Sequence, residues 1–267
     1  MEPEAHTQTK YQWLREEIKA RGRLALAFSG GVDSSLLAKV GHDLLGEGAL
    51  LLFADSPLLP DGTRQEAAAT AQAIGARLLV VNFDPLAVPE FAANPPDRCY
   101  HCKRLILTRF LALAGELGFA TLAEGTNLDD LSRDRPGLRA VAELKVISPL
   151  AAAGLSKPEI RSISRALGLS TWDRPAASCL ATRIPAGRPV TRQALELVES
   201  AEAVLTELGY QGSRVRLSAD DCRLELAAGG LGRMAGRGDF VRVRERLRGL
   251  GFAKVFLDLL EREGILS

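Results

Sequence analysis

A glycine loop with hydroxyl and carboxylate side chains is the part of this sequence best suited to chemistry. The loop (residues 29–35) reads Ser-Gly-Gly-Val-Asp-Ser-Ser and separates an apolar run from apolar residues at helical spacing. Gly30 and Gly31 lack a Cβ, so the backbone can turn tightly and approach a ligand. The unpaired amides at the start of a helix favour an anion. The loop therefore predicts a phosphate site, with further donors on the hydroxyls of Ser29, Ser34 and Ser35.

The glycine loop differs from a Walker A loop in the residue that would hold a γ-phosphate. A Walker A loop continues into Gly-Lys-Ser/Thr, whereas no lysine follows Gly31 in this loop. Asp33 offers a carboxylate, and Mg²⁺ usually bridges phosphates through one or two carboxylates. SGGVDSS resembles the pyrophosphate loop of the N-type ATP pyrophosphatases. The resemblance implies that ATP is cleaved between its α- and β-phosphates and that AMP passes to an acceptor oxygen.

Cysteines form the second group of candidate residues. Cys99 and Cys102 lie three residues apart at the predicted start of a helix, and Cys179 lies far away in a loop. Helix N-termini and nearby cations lower thiol pKa values, and the thiolate is the reactive and metal-binding form. A single C-x-x-C pair is compatible with a redox pair, half a zinc site or part of an iron–sulfur site. The nearby residues that could supply positive charge are Arg98, His101, Lys103 and Arg183.

The elements that must position these residues alternate between apolar strands and helices, which predicts an α/β fold with a Rossmann-like parallel sheet. Ligands of such sheets lie beyond the carboxyl ends of the strands. Two predicted strands there are followed by Asp55 and by the Glu124 segment (residues 124–130, Glu-Gly-Thr-Asn-Leu-Asp-Asp). We therefore expect the candidate nucleotide ligands Asp55, Glu124, Gly125 and Asn127 to lie near the glycine loop.

The local patterns also predict the extent of the elements and of two domains. Residues 1–186 are expected to form the ATP pyrophosphatase domain, and residues 187–267 a smaller α+β domain for substrate binding or oligomerisation. Strands are expected at 49–54, 77–81, 120–123 and 253–257, with two more within 213–227 around a turn at 220–221. Helices are expected at 11–21, 62–73, 100–117, 156–167 and 191–208 and from residue 239, and a loop at 84–97.

Composition narrows the class of protein. Lysine and arginine total 34 against 33 acidic residues, a formal net charge of +1, which gives no general attraction to nucleic acid. The N-terminus lacks a secretory pattern, and no apolar run has the roughly 20 residues that span a bilayer. We expect a cytoplasmic protein that binds neither membrane nor nucleic acid. Its four cysteines are then better explained as metal-binding, catalytic or buried thiols than as disulfides.

Taken together, the motifs resemble the LarE family of ATP-dependent sulfur transferases, which belong to the nickel-pincer nucleotide pathway that supplies lactate racemase. The resemblance extends over about residues 10 to 260. It is carried by SGGVDSS, the turn Ala-Asp-Ser-Pro at Asp55, RCYHCK, the Glu124 segment followed by Arg-Pro-Gly-Leu-Arg, and SCLATRIP. In the family Cys179 corresponds to the cysteine that sacrificial members consume as their sulfur source. Those members lack Cys99 and Cys102, so this chain resembles a three-cysteine branch.

The resemblance implies a [4Fe–4S] cluster with Cys99, Cys102 and Cys179 as ligands, which would leave one iron open for exogenous sulfide. The implied substrate is pyridinium-3,5-biscarboxylic acid mononucleotide, whose carboxylate is adenylated with Mg-ATP and converted to a thiocarboxylate. Arg214 and Arg216 correspond to ligands of the substrate phosphate, with Glu202 nearby. Thr182 and Arg183, beside Cys179, are placed to orient the adenylate or the substrate carboxylate. Family members tend to form homo-oligomers, in particular hexamers.

Several alternatives remain open at the level of sequence. A zinc ion could replace the cluster, with His101 or Cys222 as fourth ligand, although Cys222 is expected to be an ordinary semi-buried thiol. A tRNA-thiolating enzyme would use the same loop, but it would want a broad basic surface. A sacrificial transferase would take its sulfur from Cys179. An amide-forming synthetase would leave the cysteines without a role, and a nucleotide-binding regulator with a structural zinc site would need no turnover.

Overall fold

Residues 4–132, 135–175 and 178–262 are described by the computed structural model, and they divide into two compact units. The first unit lies within residues 1–56, 61–85 and 97–174, and the second within 57–60, 86–96 and 175–267. The second unit therefore takes in two short segments from the N-terminal half of the chain. Its main part begins before the domain boundary at 186/187 that the sequence suggests, and the assignment of domains to 1–186 and 187–267 stays a prediction.

Along the described residues, α-helices alternate with strands and loops. Three short 3-10 helices lie at Gly46–Gly48, Pro85–Ala87 and Leu180–Arg183. The α-helices are α1 (Ala5–Arg21), α2 (Val32–Leu45), α3 (Thr63–Ile74), α4 (Pro89–Ala92), α5 (Arg98–Glu116), α6 (Leu128–Leu131), α7 (Pro136–Glu143), α8 (Pro149–Ala152), α9 (Lys157–Ala166), α10 (Arg192–Glu207), α11 (Gly230–Arg237) and α12 (Phe240–Gly249).

A parallel sheet forms the centre of the first unit. Its strands are β1 (Leu24–Ala27), β2 (Ala49–Asp55), β3 (Arg77–Asn82) and β4 (Leu122–Ala123), in the order β3-β2-β1-β4. The register pairs Leu24 with Ala49 and Leu50 with Arg77. The strands carry runs of Leu, Ala and Val because parallel sheets are buried on both faces. The α/β fold with a Rossmann-like sheet is thus confirmed.

Successive side chains of β1 show how both faces of the sheet are covered. Ala25 belongs to a buried cluster with Leu107 and Phe110 of α5. Leu26, whose side chain points to the opposite face, lies against α2, where its Cδ1 is 3.1 Å from the position that a Cβ on Gly41 would occupy. The first unit is therefore a three-layer arrangement, and the carboxyl ends of its strands are the edge left for ligands.

A smaller mixed sheet forms the second unit together with helices. Its strands are β5 (Arg214–Ser218), β6 (Asp221–Glu225) and β7 (Val255–Leu257). β5 and β6 are antiparallel, while β6 and β7 are parallel. Buried side chains of β5 and α10 include Val215, Val198 and Leu205. This unit has the expected α+β character.

The structure differs from the sequence-based elements mainly where short helices interrupt loops. Residues 84–97 contain a 3-10 turn and α4, and β4 spans only two residues. The sequence does not predict helix α11, because three of its eight residues are glycine, which has a low helix propensity. The turn between β5 and β6 is shifted one residue toward the N-terminus, since Ser218 pairs with Asp221 and Ala219 takes a positive φ of 47°. Among the described residues, no helix combines the length and apolarity needed to cross a membrane.

Candidate functional site

The glycine loop joins β1 to α2 in a conformation that leaves helix amides available. Gly31 is the N-cap residue of α2, and no side chain among the described residues caps this helix end. The hydroxyl oxygens of Ser29 and Ser34 lie 3.1 Å apart, and Ser34 Oγ donates to the carbonyl of Gly31 at 3.1 Å. The hydroxyls therefore brace the turn itself. The first amides of α2 remain as anion-binding donors.

Gly30 occupies a position that requires glycine. Its φ is +74°, and a Cβ there would lie 3.1 Å from Cα and 3.2 Å from Cβ of Ala67 in α3. Arg174 donates from Nη1 to the carbonyl of Gly30 at 2.8 Å. The loop is thus held between α3 and Arg174.

Asp33 in the first turn of α2 lies between a lysine and an amide. Lys157 Nζ forms a short ion pair with Asp33 Oδ2, and Asn127 Nδ2 donates to Asp33 Oδ1 at 3.2 Å. The side chains of Asp33 and Lys157 are 22% and 26% exposed, so a ligand can reach both.

Lys157 is the residue at this site that the sequence analysis missed. The pattern Ser156-Lys157-Pro158-Glu159 predicts only a helix start, and the structure confirms one, since Ser156 and Glu159 form a capping box. The sequence marks Lys157 only as the first residue of a predicted helix, and its contact with Asp33 comes from the fold. The loop therefore has a cation beside it, although that cation comes from α9 and not from the loop.

The Glu124 segment follows β4 and lies against the glycine loop, as expected from the common strand edge. A Cβ on Gly125 would lie 3.2 Å from the amide nitrogen of Ser34, so the two segments approach closely. Asn127 caps α6 by accepting from the amide of Asp130 at 3.2 Å. Asn127 thereby has a structural role in addition to its contact with Asp33.

Glu124 itself is a buried carboxylate with several partners. Lys103 Nζ lies 2.9 Å from Oε2, while Ser148 Oγ and the amide of Thr126 donate to Oε1 at 2.6 and 3.0 Å. Burial alone would raise the pKa of Glu124, but the charge of Lys103 and these hydrogen bonds hold the pKa below its ordinary value. Glu124 therefore ties the segment to α5.

Ser35 and Asp55 differ in their surroundings from the other candidates. Ser35 is fully buried, and its hydroxyl has no hydrogen-bond partner among the described residues. Asp55 ends β2 and forms an ion pair with Arg64, with 2.9 Å between Nη1 and Oδ2. Asp55 is thus at the expected strand edge.

The first turns of α5 carry Cys99, which is exposed, and Cys102, which is partly buried. Tyr100 between them donates from its hydroxyl to Glu143 of α7 at 2.8 Å, and the guanidinium of Arg139 stacks 3.5 Å from its ring centroid. These contacts fix the cysteine-bearing end of α5 against α7. His101 Nε2 lies 3.3 Å from Asp97.

In the second unit, Cys179 lies in a turn (residues 178–183, the Cys179 turn) organised around Arg183. The Arg183 side chain is 1% exposed. Its Nε and Nη2 donate to the two oxygens of Glu202 at 2.8 and 3.0 Å. Its Nη1 contacts four oxygens of the turn, which are Ser178 O, Ser178 Oγ, Cys179 O and Thr182 Oγ1, at 2.8 to 3.0 Å.

Arg214 and Arg216 alternate on β5, as the sequence indicates. Arg216 pairs with Glu225 and donates to the carbonyl of Thr182 at 2.8 Å. Arg214 is partly buried, and among the described residues its Nε has no hydrogen-bond partner. Burial, followed by the charge of Arg183, lowers the pKa of Arg214 to about 10. The surplus of positive charge suits an anion here.

Cys222 on β6 is expected from the sequence to be semi-buried, and the structure corrects this expectation. The residue is 0% exposed, and burial, together with the charge of Asp221, raises the pKa of its thiol to about 12. All four cysteines lie in described residues and none forms a disulfide.

The candidate metal ligands divide between the two units. Cys99 and Cys102 belong to the first unit and Cys179 to the second. In the ranges that the structure describes, no three His, Cys, Asp or Glu side chains are grouped so that they could hold a metal ion. The types of donor nevertheless fit, since two thiols three residues apart on a helix are common ligands of iron–sulfur and zinc sites.

Comparison with known proteins identifies the family. No protein-family model matches the chain. The chain is 33% identical over 252 residues to the pyridinium-3,5-bisthiocarboxylic acid mononucleotide synthase of Lactiplantibacillus plantarum, covering 94% of this chain and 91% of that protein. The chain belongs to the LarE family. As a LarE-family member it is an enzyme, a sulfurtransferase of the ATP pyrophosphatase type.

Two further relatives define the extent of the similarity. An uncharacterized protein of Synechocystis is 38% identical over 252 residues, 94% of each chain. The glutamine-hydrolyzing GMP synthase of Chlamydia muridarum is 26% identical over 226 residues, which cover 73% of this chain and 42% of that enzyme. The Lactiplantibacillus plantarum and Synechocystis relatives therefore match nearly the whole chain, whereas the GMP synthase matches through part of its length.

Proposed function

We propose that this LarE-family enzyme uses Mg-ATP to adenylate a carboxylate of pyridinium-3,5-biscarboxylic acid mononucleotide and then converts that carboxylate to a thiocarboxylate. A carboxylate is a poor electrophile because its charge repels nucleophiles and oxide is a poor leaving group. In the first step the carboxylate oxygen attacks the α-phosphorus of ATP and pyrophosphate leaves. In the second step sulfur attacks the carboxyl carbon and AMP leaves. The name of the Lactiplantibacillus plantarum relative specifies the bisthiocarboxylic product.

The observation that carries the proposal is the open N-terminus of α2. Its amides have no capping side chain among the described residues, and Gly30 brings the backbone into a turn that only glycine adopts without strain. The helix dipole adds a partial positive charge at this end. Such a site suits the pyrophosphate portion of ATP, with Ser29, Gly31, Ser34 and Ser35 completing the loop around it.

Asp33 and Lys157 are suited to complementary roles beside that loop. Mg²⁺ prefers oxygen ligands and usually takes one or two carboxylates together with substrate phosphates, so Asp33 would hold the metal without a larger protein cage. Lys157, paired with Asp33, would then offer its ammonium to the pyrophosphate. Lys157 supplies the charge that a Walker loop takes from its own lysine.

The neighbouring strand edge would receive the rest of the nucleotide. Gly125 approaches the glycine loop closely, and Asn127 contacts Asp33. Glu124 keeps this segment in place through Lys103, and Asp55 lies at the end of β2. We propose that Asp55, Glu124, Gly125 and Asn127 shape the ATP site.

Arg214 and Arg216 are proposed to bind the substrate phosphate. Guanidinium presents a planar fork that matches phosphate. Arg214 has an unpartnered Nε among the described residues, which a phosphate oxygen would satisfy. Glu202 already accepts from Arg183 and from the amide of Val215 at 3.1 Å, and it lies 3.7 Å from Nη1 of Arg214. Its role is therefore to hold Arg183 and Arg214 in place.

The sulfur is proposed to be delivered at Cys99, Cys102 and Cys179. These residues would hold a [4Fe–4S] cluster, which when bound supplies an iron site for exogenous sulfide. The chain itself contributes the fixed start of α5, stabilised by Tyr100 and Arg139, and the Cys179 turn. Two alternatives remain. Cys179 could itself be the sulfur source and be consumed, or the cysteines could bind zinc instead of a cluster.

The test of the proposed function separates the two half-reactions. Cys179→Ala should abolish thiocarboxylate formation, read by mass spectrometry, while pyrophosphate release with the dicarboxylate mononucleotide continues. Cys222→Ala, which removes a buried thiol outside the proposed site, is the matched control and should retain both pyrophosphate release and thiocarboxylate formation. Thiocarboxylate formed by Cys179→Ala would exclude Cys179 from the mechanism. Conversion of wild-type Cys179 to dehydroalanine after one turnover would favour the sacrificial source.

The same assays distinguish other acceptors and the state of assembly. Pyrophosphate release that requires tRNA or ammonia, and not the mononucleotide, would favour a tRNA-thiolating or amide-forming enzyme. We propose in addition that the chain assembles as a homo-oligomer, a hexamer by resemblance to its family. Exposed apolar residues that a second copy could cover are Phe240, Val241, Leu259 and Leu260. Light scattering would give the mass of the assembly.

A further inference from the structure

We propose that Arg183 is a positioning residue that fixes the Cys179 turn for the sulfur-transfer step and does not itself bind the substrate. The inference rests on the proposed role of Cys179. It differs from the sequence-based expectation that Arg183, together with Thr182, orients the adenylate or the substrate carboxylate.

The guanidinium of Arg183 is fully engaged inside the second unit. Nη1 carries two hydrogens, yet four turn oxygens lie within 3.0 Å of it. Nε and Nη2 face the two carboxylate oxygens of Glu202. With 1% of the side chain exposed, a substrate carboxylate would have to displace existing partners to reach it.

The acceptors of Nη1 are the features that determine where Cys179 lies. They include the carbonyl of Cys179 itself and those groups of Ser178 and Thr182 that flank it. A residue that holds the carbonyl of its neighbour by hydrogen bond fixes the backbone from which that neighbour's side chain projects. Arg183 therefore fixes the position of the Cys179 backbone, and with it the place from which the thiol side chain projects.

Glu202 connects this turn to the strand that carries the phosphate-binding candidates. Besides Arg183, its Oε1 accepts from the amide of Val215 in β5 at 3.1 Å. A second connection runs from Arg216 Nη1 to the carbonyl of Thr182 at 2.8 Å. The turn with Cys179 and the strand with Arg214 and Arg216 are thus linked at two points. A substrate phosphate bound on β5 would have a fixed relation to the turn.

Lysine cannot reproduce this arrangement, although it conserves the charge. An ammonium is a single point with three donors, whereas the planar fork spans Glu202 on one side and the turn on the other. Displacements near 1 Å can lower the rate of a step by about 100-fold. Arg183→Lys should therefore slow the step that depends on Cys179 and leave the adenylation step, which uses the first unit, near its wild-type rate.

The experiment measures both half-reactions, substrate affinity and the reactivity of Cys179 in the full-length protein purified anaerobically. Arg183→Lys is the principal variant. Arg183→Met with Glu202→Met removes both charges together, which avoids an unpaired buried carboxylate. Arg246→Met, which breaks the exposed pair with Glu207 on α10 and α12, is the matched control. Iodoacetamide labelling, resolved by peptide mass spectrometry, reports Cys179 against Cys99.

Arg183→Lys is expected to release pyrophosphate within about twofold of wild type and to form thiocarboxylate about 100-fold more slowly, with little change in KM. The labelling rate of Cys179 should change while that of Cys99 does not, and the double variant should show the same labelling pattern. A raised KM with unchanged kcat would mean that Arg183 binds substrate, and the proposal would be wrong. Equal losses in both half-reactions, or none, would also overturn it. A wild-type protein that forms no thiocarboxylate would instead refute the proposed function.

Discussion

At the scale of single residues, Asp33 and Lys157 show how a site can be completed from distant parts of a chain. Asp33 stands in the glycine loop, and its partner comes from the start of α9. Asp33 offers a carboxylate to a metal ion, and Lys157 offers an ammonium to a polyphosphate. The pair is accordingly the point at which a substitution should act on adenylation alone.

Asp33→Ala should reduce pyrophosphate release by about 100-fold or more, since a bound metal ion contributes several kcal/mol of charge stabilisation. The rate is measured with saturating Mg-ATP and the dicarboxylate mononucleotide. Asp43→Ala is the matched control, because Asp43 lies on the same helix and pairs with Lys39, one turn before it. Unchanged pyrophosphate release in Asp33→Ala would remove Asp33 from the metal site.

At the scale of elements, the glycine loop depends on the positive φ of Gly30 and on the absence of a Cβ beside Ala67. Gly30→Ala should destabilise the protein by about 1–2 kcal/mol because an L-residue is strained at positive φ, and it should also weaken Mg-ATP binding because the new Cβ would press on Ala67. Thermal unfolding and nucleotide titration measure the two effects.

The control for Gly30 is Gly22→Ala. Gly22 has a φ of +64°, and no atom of the described residues lies within 4 Å of the position that a Cβ there would occupy. The control therefore carries the backbone strain without the clash. Both variants should lose stability, and only Gly30→Ala should lose nucleotide affinity. Equal nucleotide affinity in the two variants would contradict the role of the loop geometry.

The start of α9 is a second element with a measurable property. Glu159 accepts from Ser156 and from Lys10 of α1. Burial alone would raise its pKa, but the hydrogen bond from Lys10, those from Ser156 and the charge of Lys10 lower the pKa from 4.5 to about 2. A depressed carboxylate pKa stabilises the fold above the ordinary pKa, and this stabilisation is lost as the pH falls toward the folded value.

Glu159→Gln should therefore cost stability at neutral pH, and the difference from wild type should shrink as the pH falls from 4.5 toward about 2. Urea unfolding at neutral pH and at about pH 3.5 measures the difference in the free energy of unfolding. Glu17→Gln, which breaks an i,i+4 pair on α1, should show a small and nearly constant effect. If the difference in the free energy of unfolding between Glu159→Gln and wild type did not change with pH, the stabilising role of the Lys10–Glu159 pair would be contradicted.

The sequence predicted these elements because their signals are local. Apolar runs without alternation identified β1, β2 and β3, and the capping residues Ser156 and Thr191 marked helix starts that the structure confirms. The pairing of Lys157 with Asp33, and of Arg183 with Glu202, could not be predicted. These contacts join residues far apart in sequence, and a single chain contains no local pattern for them.

At the scale of the whole molecule, the three cysteines proposed for sulfur delivery belong to two different units. Cys99 and Cys102 belong to one and Cys179 to the other. Protein purified anaerobically should contain about four iron and four sulfide per chain, and Cys99→Ala should lose them, as counted by chemical assay and by the ultraviolet–visible spectrum. Retained iron in Cys99→Ala, or zinc in its place, would contradict the cluster.

Cys222 has a practical consequence for such measurements. Its thiol is sealed within the second sheet, and burial raises its pKa to about 12, so at neutral pH it is almost never a thiolate. Alkylating reagents can modify it only while the strands around it are open. The rate at which Cys222 is alkylated therefore reports how often the second sheet opens, and it can be read from the same mass spectra as the labelling of the other cysteines.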